Sequence, residues 1–316
     1  MPGRLARWLP AGLALLAVGA AGACHVPPSR ETNSYYMARN GSSDASSLGC
    51  ANSVKTGRMT MLFGAPTTVG GSYGATVWSR PDMPVQDIQE TVKNFARGYA
   101  YCRSDSSFVL QIGVGTSNSG LDARTTQWAS AHGAAWAGAV RDLAAWAQRY
   151  HPGVVQVYGA WDPEPSWSSF AKADAWINGY DATSGRRALF VNASADGCST
   201  GDATNRPCNN GWNQWALWHV AWEHDPSLPI PQIYRTDAAQ AAQWKNIDLW
   251  GTVNRADGIY FYGALAQSGA CAQVGGCTGT DNTPHQAHDQ LLWLLNSDPR
   301  TAQDEVGTMT GMWWNS

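Results

Sequence analysis

From Arg58 onward, short apolar runs of strand type alternate with longer amphipathic stretches of helix type, and this alternation restricts the possible folds more than any other property of the chain. It is the order expected of a β/α architecture. The strand-type runs are Met59 to Ala65, Phe108 to Val114, Val154 to Trp161, Ala188 to Ala193, Pro229 to Tyr234 and Gly258 to Leu265, with weaker ones at Leu217 to Trp222 and Thr310 to Trp314. Helices are expected over Val85 to Tyr99, Trp128 to Tyr150, Phe170 to Tyr180, Ala238 to Ile247 and His285 to Leu295. In the clearest of them Trp136, Val140, Leu143, Ala147 and Tyr150 share one face at the helical period. Six to eight strands with intervening helices over about 260 residues match an α/β fold of the (β/α)8 TIM-barrel type. A doubly wound open sheet is the rival. The barrel is preferred because no strand leads into a glycine-rich phosphate loop: Gly113-Val114-Gly115 lacks the third glycine of a dinucleotide fingerprint.

Ahead of this domain, residues 1–23 read as an export signal: Arg4 and Arg7, an apolar run from Leu9 to Ala20, then Ala21-Gly22-Ala23 as a small-residue cleavage site. The apolar run is shorter than the roughly 20 residues a bilayer span needs. Residues 24–56 are polar and rich in Ser, Asn and Pro, so they read as a tether, and 57–316 as one barrel-like domain. In an exported chain, seven cysteines imply an even disulfide set and one odd thiol. Cys24 is the natural odd one. Placed just after the cleavage site, it resembles the lipid-modified cysteine of bacterial lipoproteins, which would anchor the chain to the outer face of the cell membrane; Ala21 stands where that family usually carries Leu. Among the possible pairings of the other six, short loop closure favours Cys198 with Cys208 and Cys271 with Cys277, leaving Cys50 with Cys102.

The formal charge is −3, more negative once the leader is removed, so no basic stripe for nucleic acid is expected. No protein partner is implied, and neither a cofactor nor a metal is expected: there is no H-E-x-x-H order around His285, His288 and Asp289, and no G-x-S-x-G elbow for a serine hydrolase.

The acids are more informative. Of the five glutamates, Glu31, Glu90, Glu164, Glu223 and Glu305, only Glu164 follows a strong strand candidate. It stands two residues after Asp162 in Trp161-Asp-Pro-Glu-Pro-Ser-Trp167. Period-two alternation sends Tyr158, Ala160, Asp162 and Glu164 to one face and Val157 and Trp161 to the other. Pro163 and Pro165 hold the acids out of helical geometry. Two carboxylates on one face can divide labour, one anion keeping a proton on the other, as acid catalysis of glycoside cleavage requires. Ligand binding without catalysis and capping of the following helix are the other readings of the triplet. Asp196, and Glu223 with Asp225, are candidates for a further acid.

The triplet Asp162-Pro-Glu164 after a barrel strand resembles the acidic motif of TIM-barrel glycoside hydrolases of the chitinase and bacterial-muramidase type. The run from Gly159 to Trp167, with Ser194 to Cys198, Cys208 to Trp212 and Pro231-Gln-Ile-Tyr234, is also similar to a group of exported actinobacterial proteins of no established activity. The chain departs from the first pattern: no spaced aspartates precede Asp162, and Met59 to Ala65 has no Asp. The resemblance implies Glu164 as general acid and Asp162 as the group that stabilises positive charge on the sugar or orients a substrate N-acetyl group.

A glycan cleft also needs flat aromatics and fixed polar groups. With 17 Trp in the chain, some indoles are expected on a binding surface. The candidates for substrate binding are Tyr158, Trp161, Asn192, Asp196, Tyr234, Tyr260 and Tyr262, with Trp314 and Ser194. Trp128, Trp136, Trp146, Trp176 and Trp293 lie in helical patterns and are expected between helices and barrel. The sequence thus reads as an exported hydrolase of a cell-envelope or environmental polysaccharide; the alternative is a glycan-binding lipoprotein without catalysis on the same scaffold.

Overall fold

The computed structural model describes residues 31–38, 42–55, 57–78, 81–104, 108–201 and 204–315. The export signal and Cys24 lie outside them. Eight strands form one parallel sheet that curls into a nearly closed barrel: β1 (Glu31–Met37), β2 (Gly57–Leu62), β6 (Leu110–Ser117), β7 (Val155–Asp162), β8 (Leu189–Val191), β9 (Ser227–Pro229), β10 (Gly263–Ala266) and β11 (Thr308–Asn315). The order is β10-β11-β1-β2-β6-β7-β8-β9, so the first and last strands are neighbours. The remaining gap is crossed by a parallel bridge between Gln232 and Leu265, with Ile233 N donating to Leu265 O at 2.8 Å. A separate antiparallel sheet of β3 (Ala65–Val69), β4 (Ser72–Thr76) and β5 (Asp82–Pro84) is inserted after β2.

Helices α1 (Ser42–Ala51), α2 (Val85–Cys102), α3 (Thr126–Tyr150), α4 (Phe170–Ser184), α5 (Gln214–Trp218), α6 (Ala239–Arg255), α7 (Ser268–Gln273) and α8 (Pro284–Leu295) complete the fold. The larger apolar core lies between strands and helices, where Ile112, Val114, Val157 and Trp161 meet Trp136, Val140, Leu143 and Trp176. A smaller one fills the barrel with Tyr36, Leu62, Ala160, Phe190, Ile230, Leu265 and Met312. All three expected disulfides are present, Cys50–Cys102, Cys198–Cys208 and Cys271–Cys277. They point to an oxidising, exported environment. Among the described residues, no helix is long and apolar enough to cross a membrane.

The expected tether is the main correction. Residues 31–37 are a central barrel strand and 42–51 a helix, because β1 turns small polar side chains inward where an apolar pattern would be sought. Thr32, Ser34 and Tyr36 are all buried, and Ser34 Oγ accepts from the Thr60 amide at 2.9 Å. The weak strand at Leu217 to Trp222 is instead α5 running into a π-helical turn, His219–Glu223. Its continuous apolar run has no period that separates a buried strand from a buried helix. The strand expected from Gly258 begins only at Gly263. On the outer surface, Trp293 is 69% exposed and Tyr150 59%, against the expectation that both pack inward.

Gly113 and Gly115 of β6 face the barrel interior, and no larger residue fits there. A Cβ on Gly115 would lie 2.2 Å from the Ala160 carbonyl oxygen, a backbone atom of the paired strand. Gly115→Ala is expected to destabilise the fold by about 1–3 kcal/mol. Urea unfolding would register this as a lower midpoint with an unchanged slope.

Candidate active site

Strand β7 ends at Asp162, and the chain stays extended through Pro163, so Asp162 and Glu164 both turn toward the barrel axis at its C-terminal end. One amide fixes the second acid. Asn118, fully buried in the loop after β6, accepts from Glu164 N at 3.0 Å and donates to Glu164 O at 3.0 Å and to Ser168 Oγ at 2.9 Å. From outside, Asn209 donates to Ser166 Oγ and Asn210 to the Pro165 carbonyl, each from the turn next to the Cys198–Cys208 bridge.

The two carboxyl groups share one donor. Gln232, on the segment after β9, lies with its Nε2 2.8 Å from Asp162 Oδ1 and 2.8 Å from Glu164 Oε1. The Tyr36 hydroxyl donates to Asp162 Oδ2 at 2.8 Å. The carboxyl oxygens facing Gln232 therefore cannot be further apart than twice 2.8 Å.

Asp162 has no solvent exposure. Burial pushes its carboxyl up to about 7, against the hydrogen bonds from Tyr36 and Gln232, and the nearby Asp196 adds to the rise. Burial, followed by the Asp162 charge, holds Glu164 well above the usual carboxylate range. Burial beside these acids also raises Tyr36 and Tyr234, so both phenols stay neutral. Such a pair can retain a proton near neutral pH and could give it to a basic atom brought against it.

Aromatic rings line this end. The Tyr36 ring lies 5.8 Å from Trp78 and 5.5 Å from Trp314, Trp78 lies 5.9 Å from Trp314, and Trp167 lies 6.1 Å from Trp78. The three indoles are only half-buried. Such a wall suits the apolar faces of sugar rings beside a hydrogen-bonding acid pair.

Of the residues singled out in the sequence, Asp162, Glu164, Asp196, Tyr234 and Trp314 converge here. Asn192 lies within the barrel, donating to Thr60 Oγ1 at 3.2 Å. Trp161 is not on the site: it is fully buried on the outer face of β7, stacked on Trp176 with centroids 4.6 Å apart. Tyr158, Tyr260 and Tyr262 belong to the opposite, N-terminal end of the barrel. Tyr158 donates to Gln156, Arg58 lies over the Tyr262 ring at 5.0 Å, and Tyr260 donates to Glu305 at 3.3 Å. Tyr260 and Tyr262 precede β10 because that strand begins only at Gly263, and Tyr158 lies in the first half of β7. Glu223 faces His219 in the helical layer and Asp225 pairs with Arg186 at 3.9 Å, so neither joins the acid pair.

The residues missed are Tyr36, Gln232, Trp78 and Asn118. Gln232 shares strand parity with Tyr234, which could have flagged it. Tyr36 had no such signal, because its strand carries polar residues inward. No protein-family model and no curated protein matches the chain.

Proposed function

We propose that the chain is an exported glycoside hydrolase on a TIM-barrel scaffold, acting on a polysaccharide of the cell envelope or surroundings, with Glu164 as proton donor and Asp162 as its anionic partner. One observation carries this reading: a fully buried Asp162 and a half-buried Glu164 bridged by Gln232 at the strand ends of a parallel barrel, beneath a cluster of indoles. Glu164 keeps a proton while Asp162 ionises, which is the division an oxocarbenium-like transition state needs. Glu164 protonates the glycosidic oxygen. Asp162, held by Tyr36 and Gln232, either attacks the anomeric carbon or orients an N-acetyl group that does so. Glu164 then takes the proton of the incoming water. Lipid attachment at Cys24 would hold the enzyme at the outer face of the membrane.

The closeness of the two carboxyl groups bears on the expected stereochemistry. Inverting enzymes leave about 6.5–9.5 Å between the groups to admit a water, retaining ones about 5–5.5 Å. The two oxygens that share the Gln232 donor lie within twice 2.8 Å of each other, which favours the retaining spacing, and net retention is the expected outcome. Proton NMR of the first product, recorded before mutarotation, tests this. Product of inverted configuration would reject the assignment of these two carboxylates as the reacting pair.

Asn118 is a positioning residue in this scheme. Asn118→Ala is expected to lower kcat by about 10–100-fold with a smaller change in KM, alongside a stability loss of about 1–3 kcal/mol from the buried groups it leaves unpaired. Equal loss of both parameters would indicate a purely structural role.

A further inference from the structure

A second cluster of titratable side chains lies in the helical layer, outside the barrel and apart from the acid pair. Asp174 comes from the second turn of α4, and His219 and His224 from the π-helical turn and the residue that follows it. The Nε2 atoms of the two imidazoles meet at 3.2 Å, and Asp174 Oδ1 lies 2.9 Å from His219 Nε2. One ligand-type atom from each of the three residues falls within 4.8 Å of the others.

The opposite edges of both rings are already held. His219 Nδ1 faces Glu223 Oε2 at 2.5 Å, and His224 Nδ1 faces Asp181 Oδ2 at 3.5 Å. A carboxylate behind each Nδ1 fixes the tautomer that carries its proton there and directs the Nε2 lone pair into the cluster, the usual support for a metal-bound histidine. Two Nε2 atoms meeting head-on can share at most one proton. A cation between them satisfies both.

The backbone also serves this meeting. His224 N donates to His219 O at 3.3 Å, an i to i+5 bond. In a continued α-helix, residues five apart diverge; the π turn brings them to one side, and such turns recur at functional sites.

We propose that Asp174, His219 and His224 form a binding site for a divalent first-row transition metal, with zinc the best fit, that ties α4 to the turn before β9. Two zinc ligands at about 2.0–2.1 Å in tetrahedral geometry stand about 3.3 Å apart, close to the observed 3.2 Å between the imidazoles. Relative to His219 Nε2, at 2.9 Å, the Asp174 carboxylate oxygen needs to withdraw by a few tenths of an ångström. Two imidazoles and a carboxylate suit zinc rather than calcium or magnesium. The side chains of Asp174 and His219 are 33% and 18% exposed, so an ion can enter and water can complete the coordination.

The test is a titration of zinc ion alone into EDTA-stripped, disulfide-intact protein, followed by calorimetry and by the thermal midpoint. One equivalent should bind with a raised midpoint, and cobalt ion should give the visible absorption of a tetrahedral site. The double variant His219→Ala/His224→Ala should lose binding at least 100-fold. Glu223→Gln, which keeps all three ligands, should weaken it about 10–100-fold; it also serves if the double variant fails to fold. His285→Ala, a solvent-exposed control elsewhere, should leave binding unchanged. Absence of binding to wild type at 100 µM zinc, or binding unaltered in both cluster variants, would overturn the proposal.

Discussion

Replacing Glu164 by glutamine is expected to lower the rate of glycan hydrolysis by about 10²–10⁴-fold while leaving the fold and glycan binding intact. Glutamine keeps the shape, and its carbonyl can still accept from Gln232, but it has no proton to give the leaving oxygen. The wild-type pH profile should carry the same signature. Under the proposed roles Asp162 must be ionised and Glu164 protonated in the free protein. Because burial pushes Asp162 up to about 7, kcat/KM should rise as pH passes through neutrality, and fall again only where Glu164, raised well above its usual range, loses its proton. An acid limb near pH 4 would show that the desolvated Asp162 is not the group that must ionise. Undiminished hydrolysis by Glu164→Gln would exclude Glu164 as the acid.

The same desolvation should appear as a stability cost. The folded carboxyl of Asp162 titrates near 7, against 3.8 for an ordinary aspartate. Below about pH 4 both folded and unfolded states hold the proton, and there is no penalty. As pH rises from 4 to 7 the unfolded chain releases its proton first, so the folded state loses stability over that window, by up to about 4 kcal/mol at one pKa unit per 1.36 kcal/mol. Asp162→Asn removes the titration and keeps the site's shape, with Oδ1 toward Gln232 and Nδ2 toward Tyr36. Denaturant unfolding should find this variant close to wild type at pH 4 and more stable by several kcal/mol at pH 8. The comparison must be between proteins, because Asp248, raised by burial to about 8, adds a pH dependence common to both. An equal difference at pH 4 and pH 8 would show that Asp162 carries no such cost.

What could be read in the sequence was the part governed by local period. Strand β7 and the shared face of Asp162 and Glu164 follow from alternation alone, as does the outward direction of Trp161, which sets it apart from aromatics that could face a sugar. The buried face of α3 and the three disulfides were equally accessible, the latter because short loops limit the choice of partner. The lost features depend on contacts distant along the chain. Gln232 and Tyr36 reach Asp162 across sequence separations of 70 and 126 residues, and no local pattern encodes such a meeting. Strand β1 was hidden because a barrel interior can be filled by Thr32, Ser34 and Tyr36, the hydroxyls of the last two finding partners inside. The His219 and His224 cluster was hidden for a related reason: only the π turn, which an apolar run does not announce, brings the two rings together.

The most direct test of the central claim is release of new reducing ends from peptidoglycan, arabinogalactan, chitin and galactosaminoglycan, measured by reducing-end assay and mass spectrometry with wild type and Glu164→Gln side by side. The account predicts oligosaccharide release from at least one of these polymers by wild type and almost none by the variant. Binding of a polymer by both proteins with no release by either would contradict it, and would make the chain a glycan-binding protein that uses the same barrel without catalysis.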